Sequence, residues 1–228
     1  MKKKYVIGIE GYVGAGKTSI CRELIKLDEN AILLNGGNLY RTIVYALMKK
    51  QPNILKLRKE MKNIDVKKYM DDLKIEIKIE DRETKTYIDG IIVSEEELQS
   101  KASSLAVSLI GGIADNTKLF EYARKFIDDV KRNNNIVLSG RAIMQIYPNI
   151  DYHVFITASL KERVKRKCIQ YNEIKKKIGV RINIILRDIL QNLAGFYKIY
   201  PNTILVDVTE CKDIKESTEK VIEYTLKK

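Results

Sequence analysis

A glycine-rich segment near the start of the chain has the residue types and spacing of a phosphate-binding loop. Gly11-Tyr12-Val13-Gly14-Ala15-Gly16-Lys17-Thr18 matches the pattern G-x-x-x-x-G-K-[ST] in full. Its glycines let the backbone curl so that N–H groups converge on phosphate oxygens, and the helix that opens here adds its partial positive charge. Lys17 is expected to reach the β- and γ-phosphates of a nucleoside triphosphate, and the Thr18 hydroxyl to hold Mg²⁺.

Three later segments carry arginines directly after apolar runs. They are Gly36-Gly37-Asn38-Leu39-Tyr40-Arg41, Ser139-Gly140-Arg141 and Leu160-Lys161-Glu162-Arg163-Val164-Lys165-Arg166. Because the carboxyl ends of parallel strands face one crevice, we expect Arg41 and Arg141 to point at the phosphates held by the loop. Guanidinium groups suit the spread charge of a transferring phosphoryl group. The pattern therefore indicates a second phosphate-bearing ligand.

The elements that position these residues alternate between apolar runs and helical patterns. Such alternation predicts an α/β fold with a parallel sheet of about five strands, flanked by helices, as in P-loop NTPases. The predicted strands are residues 5–9, 31–34, 136–138, 152–157 and 203–208, and the first two helices are residues 18–27 and 38–49. A further helical stretch is predicted from about residue 95 to 131, and a terminal helix after the last strand.

Two segments interrupt this alternation. Residues 54–100 are Lys-rich, and Ile75, Ile77 and Ile79 followed by Tyr87-Ile88 and Ile91-Ile92-Val93 predict a β-hairpin insert that turns at residues 81–84. The basic segment within residues 160–186 is either a mobile flap or a solvated helix. We find no linker that would divide residues 1–228 into separate domains.

Composition excludes several other classes of protein. The 228 residues carry 42 Lys and Arg against 30 Asp and Glu, a net charge of +12 that favours anionic partners, or simply reflects a solvated lysine-rich surface. Three widely separated cysteines, Cys21, Cys168 and Cys211, argue against a disulfide framework or a zinc cluster. The single histidine, His153, makes Ser-His-Asp chemistry improbable, and we interpret it as structural.

Targeting signals are not predicted. The apolar run after Met1-Lys2-Lys3-Lys4 stops at Glu10 and is too short for a signal peptide, and no stretch approaches the length of a membrane span. We therefore expect a cytoplasmic protein that does not bind membranes.

From about Lys4 to Val208 the chain resembles bacterial cytidylate kinases, which are P-loop nucleoside monophosphate kinases. The matching stretches are residues 9–17, 33–41, Ser139-Gly140-Arg141, Phe155-Ile156-Thr157-Ala158-Ser159, Glu162-Arg163 with Arg166, and Arg187-Asp188. The resemblance implies an ATP- and Mg²⁺-dependent kinase of CMP or dCMP, acting as a monomer or weak dimer. Residues 54–100 would form the monophosphate-binding insert, and residues 160–186 the lid over ATP.

The same resemblance assigns roles to individual residues. Lys17, Arg141, Arg163 and Arg187 would be catalytic. ATP would be bound by Gly11, Gly14, Ala15, Gly16, Lys17, Thr18, Ser19, Arg163 and Arg166. The phosphate acceptor would be bound by Gly36, Gly37, Tyr40, Arg41, Gly140, Arg141 and Asp188. Thr18 would hold Mg²⁺, and Glu10 would act on it through water or orient the acceptor; a partly exposed structural glutamate is the other interpretation.

The chain departs from the family's pattern at the positions that recognise the phosphate acceptor. Asn35-Gly36-Gly37 and Ser139-Gly140-Arg141-Ala142 each lack a carboxylate that the family has. Gln191 and Ala194 stand at the acidic and basic positions with which the family holds the sugar and base, and Gln99 stands where the family has an arginine. Three hypotheses follow: a CMP or dCMP kinase, a kinase of another small metabolite, and a non-catalytic nucleotide-responsive protein. A nucleic-acid partner is not favoured, because the sequence has no recognisable nucleic-acid motif.

Overall fold

The protein is built on a parallel sheet whose strands are linked by helices. The computed structural model describes residues 4–50, 53, 56, 65–99, 117–172 and 174–227. Its strands are β1 Val6–Gly11, β2 Ala31–Asn35, β3 Ile75–Glu80, β4 Glu83–Ile88, β5 Ile91–Ile92, β6 Asn135–Ser139, β7 Tyr152–Thr157 and β8 Thr203–Asp207. Its helices are α1 Lys17–Leu27, α2 Gly36–Lys50, α3 Val66–Asp72, α4 Glu95–Gln99, α5 Thr117–Lys131, α6 Ile143–Ile146, α7 Leu160–Gln170, α8 Lys177–Leu193 and α9 Ile214–Tyr224, with a 3₁₀ turn at Ile174–Lys176.

Five strands form the parallel part of the sheet in the order β2-β6-β1-β7-β8. The central strand β1 is buried along its whole length, as expected where helices cover both faces of a parallel sheet. On one face Ile20 and Leu24 of α1 pack with Val221 of α9, and on the other face Ile127 of α5 packs with Ile143 of α6. The predicted α/β fold with a five-stranded parallel sheet is confirmed.

The predicted hairpin is present and extends this sheet. β3 and β4 pair antiparallel, and β4 also pairs with β2 through Leu33 and Glu83. The turn contains only Asp81 and Arg82, both in the left-handed region with φ of 51° and 62°, as in a two-residue type I′ turn. The turn predicted at residues 81–84 was therefore too long, since Glu83 already belongs to β4.

Two arginines fasten the hairpin to the helix that follows the phosphate loop. The Arg82 guanidinium donates to the carbonyl oxygens of Ile25 and Asp28 at 2.5 and 3.1 Å, where α1 ends. Arg22 of α1 lies 2.9 Å from the Glu83 carboxylate and 2.7 Å from that of Glu95. The hairpin and α1 are thus joined by side chains as well as by the sheet.

The other predicted elements agree with the structure to within a few residues. Of the stretch predicted to be helical from 95 to 131, the structure describes α4 and α5, and residues 100–116 lie outside the described part. Residues 51, 52, 54, 55, 57–64 and 100 of the region around the predicted insert also lie outside it. The basic segment 160–186 contains two helices, α7 and the first part of α8. Among the described helices, none combines the length and the apolar character that a membrane span requires.

Candidate active site

The glycine-rich loop joins β1 to α1 and requires its glycines. Gly11, Gly14 and Gly16 have φ of 147°, 80° and 100°, values that side chains disfavour. A Cβ at Gly14 would lie 3.0 Å from the Arg163 carbonyl oxygen, and one at Gly11 would collide with the Ile156 carbonyl. The loop therefore curls tightly against β7 and α7, with the first turn of α1 directly behind it.

Lys17 lies inside the loop, as its position in the motif predicts. Its ammonium group donates to the carbonyl oxygens of Gly11 and Tyr12 at 2.7 and 2.9 Å. Burial lowers the Lys17 pKa to about 7, and the positive charges of Arg141 and Lys167 lower it further. The lysine thus lies in a strongly electropositive environment at neutral pH.

Arg41 and Arg141 follow the adjacent strands β2 and β6 and line one cleft together with Lys17. Arg41 donates to the Leu98 carbonyl oxygen at 2.8 Å, and Arg141 lies over the Phe196 ring at 6.0 Å. Burial lowers the pKa of Arg41 to about 9, with Arg141 adding to the effect. Burial also lowers the pKa of Arg141 to about 10. The predicted convergence of these two arginines on the phosphate loop is present in the structure.

Positively charged side chains around the loop repel one another and so lower one another's pKa values. Lys167 of α7 has a pKa lowered to about 8, first by burial and then by Arg187 and Arg41. Each of Lys17, Arg41 and Lys167 has its positive charge disfavoured by at least one of the others or by Arg187. A polyanionic ligand would relieve this repulsion, so the arrangement is suited to phosphate groups.

Two clefts meet at the loop. The first, here called the arginine cleft, is lined by Arg41, Arg141 and Arg187 together with Gly36, Gly37, Gly140, Thr84, Thr86 and Phe196, among others. The second, here called the lysine cleft, lies between α7 and the segment before α9, and its lining includes Ala15, Gly16, Ser19, Lys165, Arg166, Lys167 and Lys212. Gly14, Lys17 and Thr18 line both. Ligands in the two clefts would therefore approach each other at Lys17.

Arg163 and Arg166 both contact the loop from α7. Arg166 donates to the Ala15 carbonyl oxygen at 2.9 Å and lines the lysine cleft. Arg163 is 8% exposed, donates to the carbonyl oxygens of Val13 and Ala158, and binds the Asp188 carboxylate at 2.5 Å. Arg163 thus holds the backbone of the loop through hydrogen bonds, and Asp188 holds the Arg163 guanidinium group in place.

Comparison with known proteins identifies the family. The family model described as cytidylate kinase matches residues 7–227. The chain belongs to the cytidylate kinase family. It is 30% identical to a cytidylate kinase of Aquifex aeolicus over 97% of this chain and 94% of that protein. It is 27% identical to a cytidylate kinase of Pseudothermotoga lettingae over 99% of this chain and 96% of that protein.

Another relative is a longer protein. The chain is 26% identical to a bifunctional pantoate ligase/cytidylate kinase of Prochlorococcus marinus, matching 97% of this chain and 43% of that protein. The chain thus spans less than half the length of this relative. As a member of the cytidylate kinase family, the protein is a phosphotransferase of the nucleoside monophosphate kinase class.

Arg187 and Gln191 occupy the side of α8 that faces the site. Both are buried, with exposures of 6% and 1%. Among the described residues, the Arg187 Nε and Gln191 Nε2 atoms have no hydrogen-bond partner. The Tyr197 hydroxyl, which has one hydrogen to share between them, lies 2.5 Å from Gln191 Oε1 and 3.0 Å from Asp188 Oδ1. Gln191, one turn after Arg187, is thus held by Tyr197 on the buried face of α8.

Glu10 is buried, contrary to the partly exposed glutamate that the sequence suggested as one interpretation. Its exposure is 3%, because α6 covers the end of β1. One carboxylate oxygen accepts from the Ile143 N–H at 2.5 Å, and the other lies 3.5 Å from His153 Nε2. His153 also contacts Thr203 Oγ1 at 2.8 Å, which agrees with a structural role for this histidine. A water-mediated role of Glu10 at the metal stays a prediction.

The residues around Thr18 fit a magnesium ion held chiefly by nucleotide phosphates. Thr18 is partly exposed and lines both clefts at the first turn of α1. In the described part of the chain, no group of three or more His, Cys, Asp or Glu side chains could hold a metal by itself. This donor set suits Mg²⁺, which binds few protein ligands and usually keeps waters and substrate phosphates.

Several site residues were missed by the sequence reading. Lys167 lies four residues after Arg163 on α7, and this helical spacing could have revealed it. Thr84 and Thr86 lie two positions apart on β4, so both are on the same face of the strand. That face lines the arginine cleft. Tyr40 lies in α2, and the role predicted for its side chain in binding the acceptor stays a prediction.

Proposed function

We propose that the protein transfers the γ-phosphate of ATP to CMP or dCMP in the cytoplasm. The observation that carries this proposal is the meeting of the two clefts at Lys17, with Arg41 and Arg141 on one side and Arg166 on the other. ATP would occupy the lysine cleft and the loop, and the monophosphate the arginine cleft. The cytoplasmic location agrees with three cysteines that are all free.

The cationic side chains would perform most of the catalysis. Phosphoryl transfer spreads negative charge over the transferring group, so the protein contributes positioning and charge neutralisation. Lys17 would leave the carbonyls of Gly11 and Tyr12 to bind the β- and γ-phosphates. Arg41 and Arg141 would hold the acceptor phosphate in line, and Arg187 would approach the transferring group from α8.

Mg²⁺ bound at Thr18 would neutralise the charge on the β- and γ-phosphates when present. The loop backbone from Gly14 to Ser19 would supply N–H donors to the same phosphates.

Two parts of the chain would shape the two sides of the site. We propose residues 54–100 as the monophosphate-binding insert, since Thr84 and Thr86 from its hairpin line the arginine cleft. Residues 160–186 would be the lid over ATP, because this segment supplies Arg166 to the lysine cleft. Closure would exclude water, so that phosphate passes to the acceptor and is not lost to hydrolysis.

A second acceptor class has a specific observation in its favour. Where the family's carboxylates would read the acceptor, the arginine cleft presents the neutral side chains of Asn35 and Ser139. A site that lacks a polar contact to its substrate loses discrimination for it. A small phosphorylated metabolite other than CMP is therefore the alternative acceptor.

The test is transfer from Mg-ATP to a panel of acceptors, with ADP followed by a coupled assay and products identified by mass. Conversion of CMP or dCMP at roughly 1–100 per second supports the proposal. Lys17→Ala is the blank, and Lys26→Ala is the matched control, because Lys26 lies on the same helix, exposed and paired with Glu23. Efficient transfer to another phosphorylated metabolite and not to CMP would favour the alternative. ATP binding without transfer to any acceptor would leave only a nucleotide-binding role.

A further inference from the structure

Helix α8 has a buried face and, opposite to it, an exposed apolar face. Val180, Ile184, Arg187 and Gln191 form its buried face and pack toward α7 and the site. The six side chains of the other face are exposed aliphatics: Ile178 (78%), Ile182 (53%), Ile185 (37%), Leu186 (53%), Ile189 (51%) and Leu193 (79%). With about 100° of rotation per residue, these six form one stripe on the side of the helix away from the core. We call this stripe the outer face of α8.

A stripe of this kind on a helix that already has a buried face requires an explanation. Single exposed apolar residues are common, but contiguous apolar patches on monomers are rare and mark interaction surfaces. The outer face therefore indicates a partner that covers α8.

The spacing of the stripe points to a second copy of this chain. The six positions are symmetric about the point between Ile185 and Leu186. When two α8 helices run antiparallel about that point, Ile185 meets Leu186 of the partner subunit, Ile182 meets Ile189 of the partner subunit, and Ile178 meets Leu193 of the partner subunit. We propose that the outer face of α8 forms a twofold homodimer interface through this antiparallel pairing.

Charge is compatible with this register. Lys177 and Arg181 are the exposed charged residues of α8, and both lie toward its N-terminal end. In the antiparallel pair, these two cations of one subunit lie at the opposite end of the interface from those of the other subunit. A parallel pairing would instead bring the Lys177 and Arg181 side chains of two subunits together.

The available area is also sufficient. Together the six side chains expose as much surface as about three and a half fully exposed residues. This is an accessible surface of roughly 700 Å² per subunit, compared with about 800 Å² per partner in a standard interface. Flanking residues outside the stripe would add to this. The surface therefore matches that of a modest, specific dimer.

Because α8 carries Arg187 and Asp188 on the side of the site, the dimer would hold two active sites back to back across the helix pair. The dimer does not depend on which acceptor the site binds.

The first test measures the mass of the full-length protein by sedimentation over a roughly hundredfold range of concentration. We expect about twice the 26.3 kDa of the single chain at the upper end. Leu186→Glu should weaken the dimer at least tenfold, because it places two carboxylates at the twofold axis. Leu27→Glu is the control, since Leu27 is 62% exposed on α1, away from the stripe, and should leave the dimer unchanged. Circular dichroism melting checks that both variants fold.

A monomeric wild-type protein at every concentration overturns the proposal. So does a monomer that sediments with anionic vesicles of phosphatidylserine and phosphatidylcholine and loses this binding in Leu186→Glu. That result would make the outer face a membrane surface.

The second test addresses the register by disulfide trapping. Ile178→Cys and Leu193→Cys chains, mixed and oxidised, should give a crosslinked dimer in much higher yield than either variant alone. Wild-type protein controls for its own thiols, of which Cys21 and Cys168 are buried. Equal crosslinking of the unmixed variants would overturn the antiparallel register.

Discussion

Arg163 of α7 donates to the carboxylate of Asp188 on α8, joining the two helices directly beneath the phosphate loop. Their side chains are only 10% and 18% exposed. The same guanidinium group reaches the Val13 carbonyl and lies 5.0 Å over the Tyr12 ring. The loop, α7 and α8 are therefore connected through one charged pair.

Asp188→Asn should destabilise the protein and reduce catalysis, because it leaves a buried guanidinium without its counter-charge. Removing one partner of a buried pair costs about 3–5 kcal/mol, which corresponds to a fall in Tm of roughly 6–20 °C for a chain of this size. Calorimetry and the coupled assay measure the two effects. Glu76→Gln is the control, since Glu76 forms an exposed pair with Lys78 and should change little. A Tm equal to that of the wild type would contradict the structural role.

Binding of a nucleotide at high pH should take up a proton at Lys17. The pKa of this lysine is about 7 in the structure without nucleotide, and phosphate groups will raise it by favouring the charged form. Above pH 7 the lysine must gain a proton on binding, so affinity should fall by up to tenfold per pH unit. Calorimetric titration of a non-hydrolysable ATP analogue at about pH 8.5, in buffers of different ionisation enthalpy, measures the uptake.

Lys17→Met should abolish the Lys17 part of this uptake, and uptake equal to the wild type's would contradict the assignment.

Without nucleotide, the unfolded chain holds more protons at Lys17 than the folded one between about pH 7 and 10. The free energy of unfolding contributed by this group should therefore rise with pH across that window.

Pyrophosphate should stabilise the protein beyond any effect of ionic strength. The positive charges at Lys17, Arg41 and Lys167 disfavour one another, so a small polyanion relieves their repulsion. At a concentration of about 100 times its Kd, a ligand adds about 2.7 kcal/mol, or roughly 5–10 °C in Tm. Thermal melts with pyrophosphate and with sodium chloride of equal ionic strength distinguish binding from screening. Equal shifts in both salts would contradict a specific anion site.

Arg41→Gln should raise the KM for the phosphate acceptor about 10- to 100-fold, because a hydrogen bond to a charged group contributes about 1.5–3 kcal/mol. The KM for ATP should stay within about twofold, since Arg41 lines the arginine cleft and ATP is assigned to the lysine cleft. Steady-state kinetics with each substrate varied in turn measure this split. Lys49→Gln is the control on the same helix, because Lys49 lies over the Tyr45 ring near the end of α2. An equal rise in both KM values would contradict the assignment of the clefts.

Local patterns in the sequence predicted the phosphate loop, the five parallel strands and the convergence of Arg41 and Arg141. These predictions succeed because the glycine spacing is specific and because parallel strands all end at the same edge of the sheet. The pairing of Arg163 with Asp188 was not predictable in this way, since the two residues lie 25 positions apart on different helices. Such contacts depend on how α7 and α8 cross.

The burial of Glu10 was also beyond the sequence reading. A charged residue at the end of a strand suggests exposure, but here α6, more than 130 positions later, covers it and donates Ile143 N–H to its carboxylate. The length of the hairpin turn depended on two non-glycine residues, Asp81 and Arg82, adopting positive φ. Residues other than glycine rarely adopt this conformation, so composition alone did not indicate a two-residue turn.

The attachment of the hairpin to α1 links one wall of the arginine cleft to the phosphate loop. Arg82 holds the end of α1, Arg22 holds Glu83, and β4 continues the sheet beside β2. The hairpin wall of the arginine cleft is thus fastened to the helix that begins in the phosphate loop, on both sides of the hairpin turn. A displacement of the loop and α1 should therefore be transmitted to Thr84 and Thr86 on the far side of the cleft.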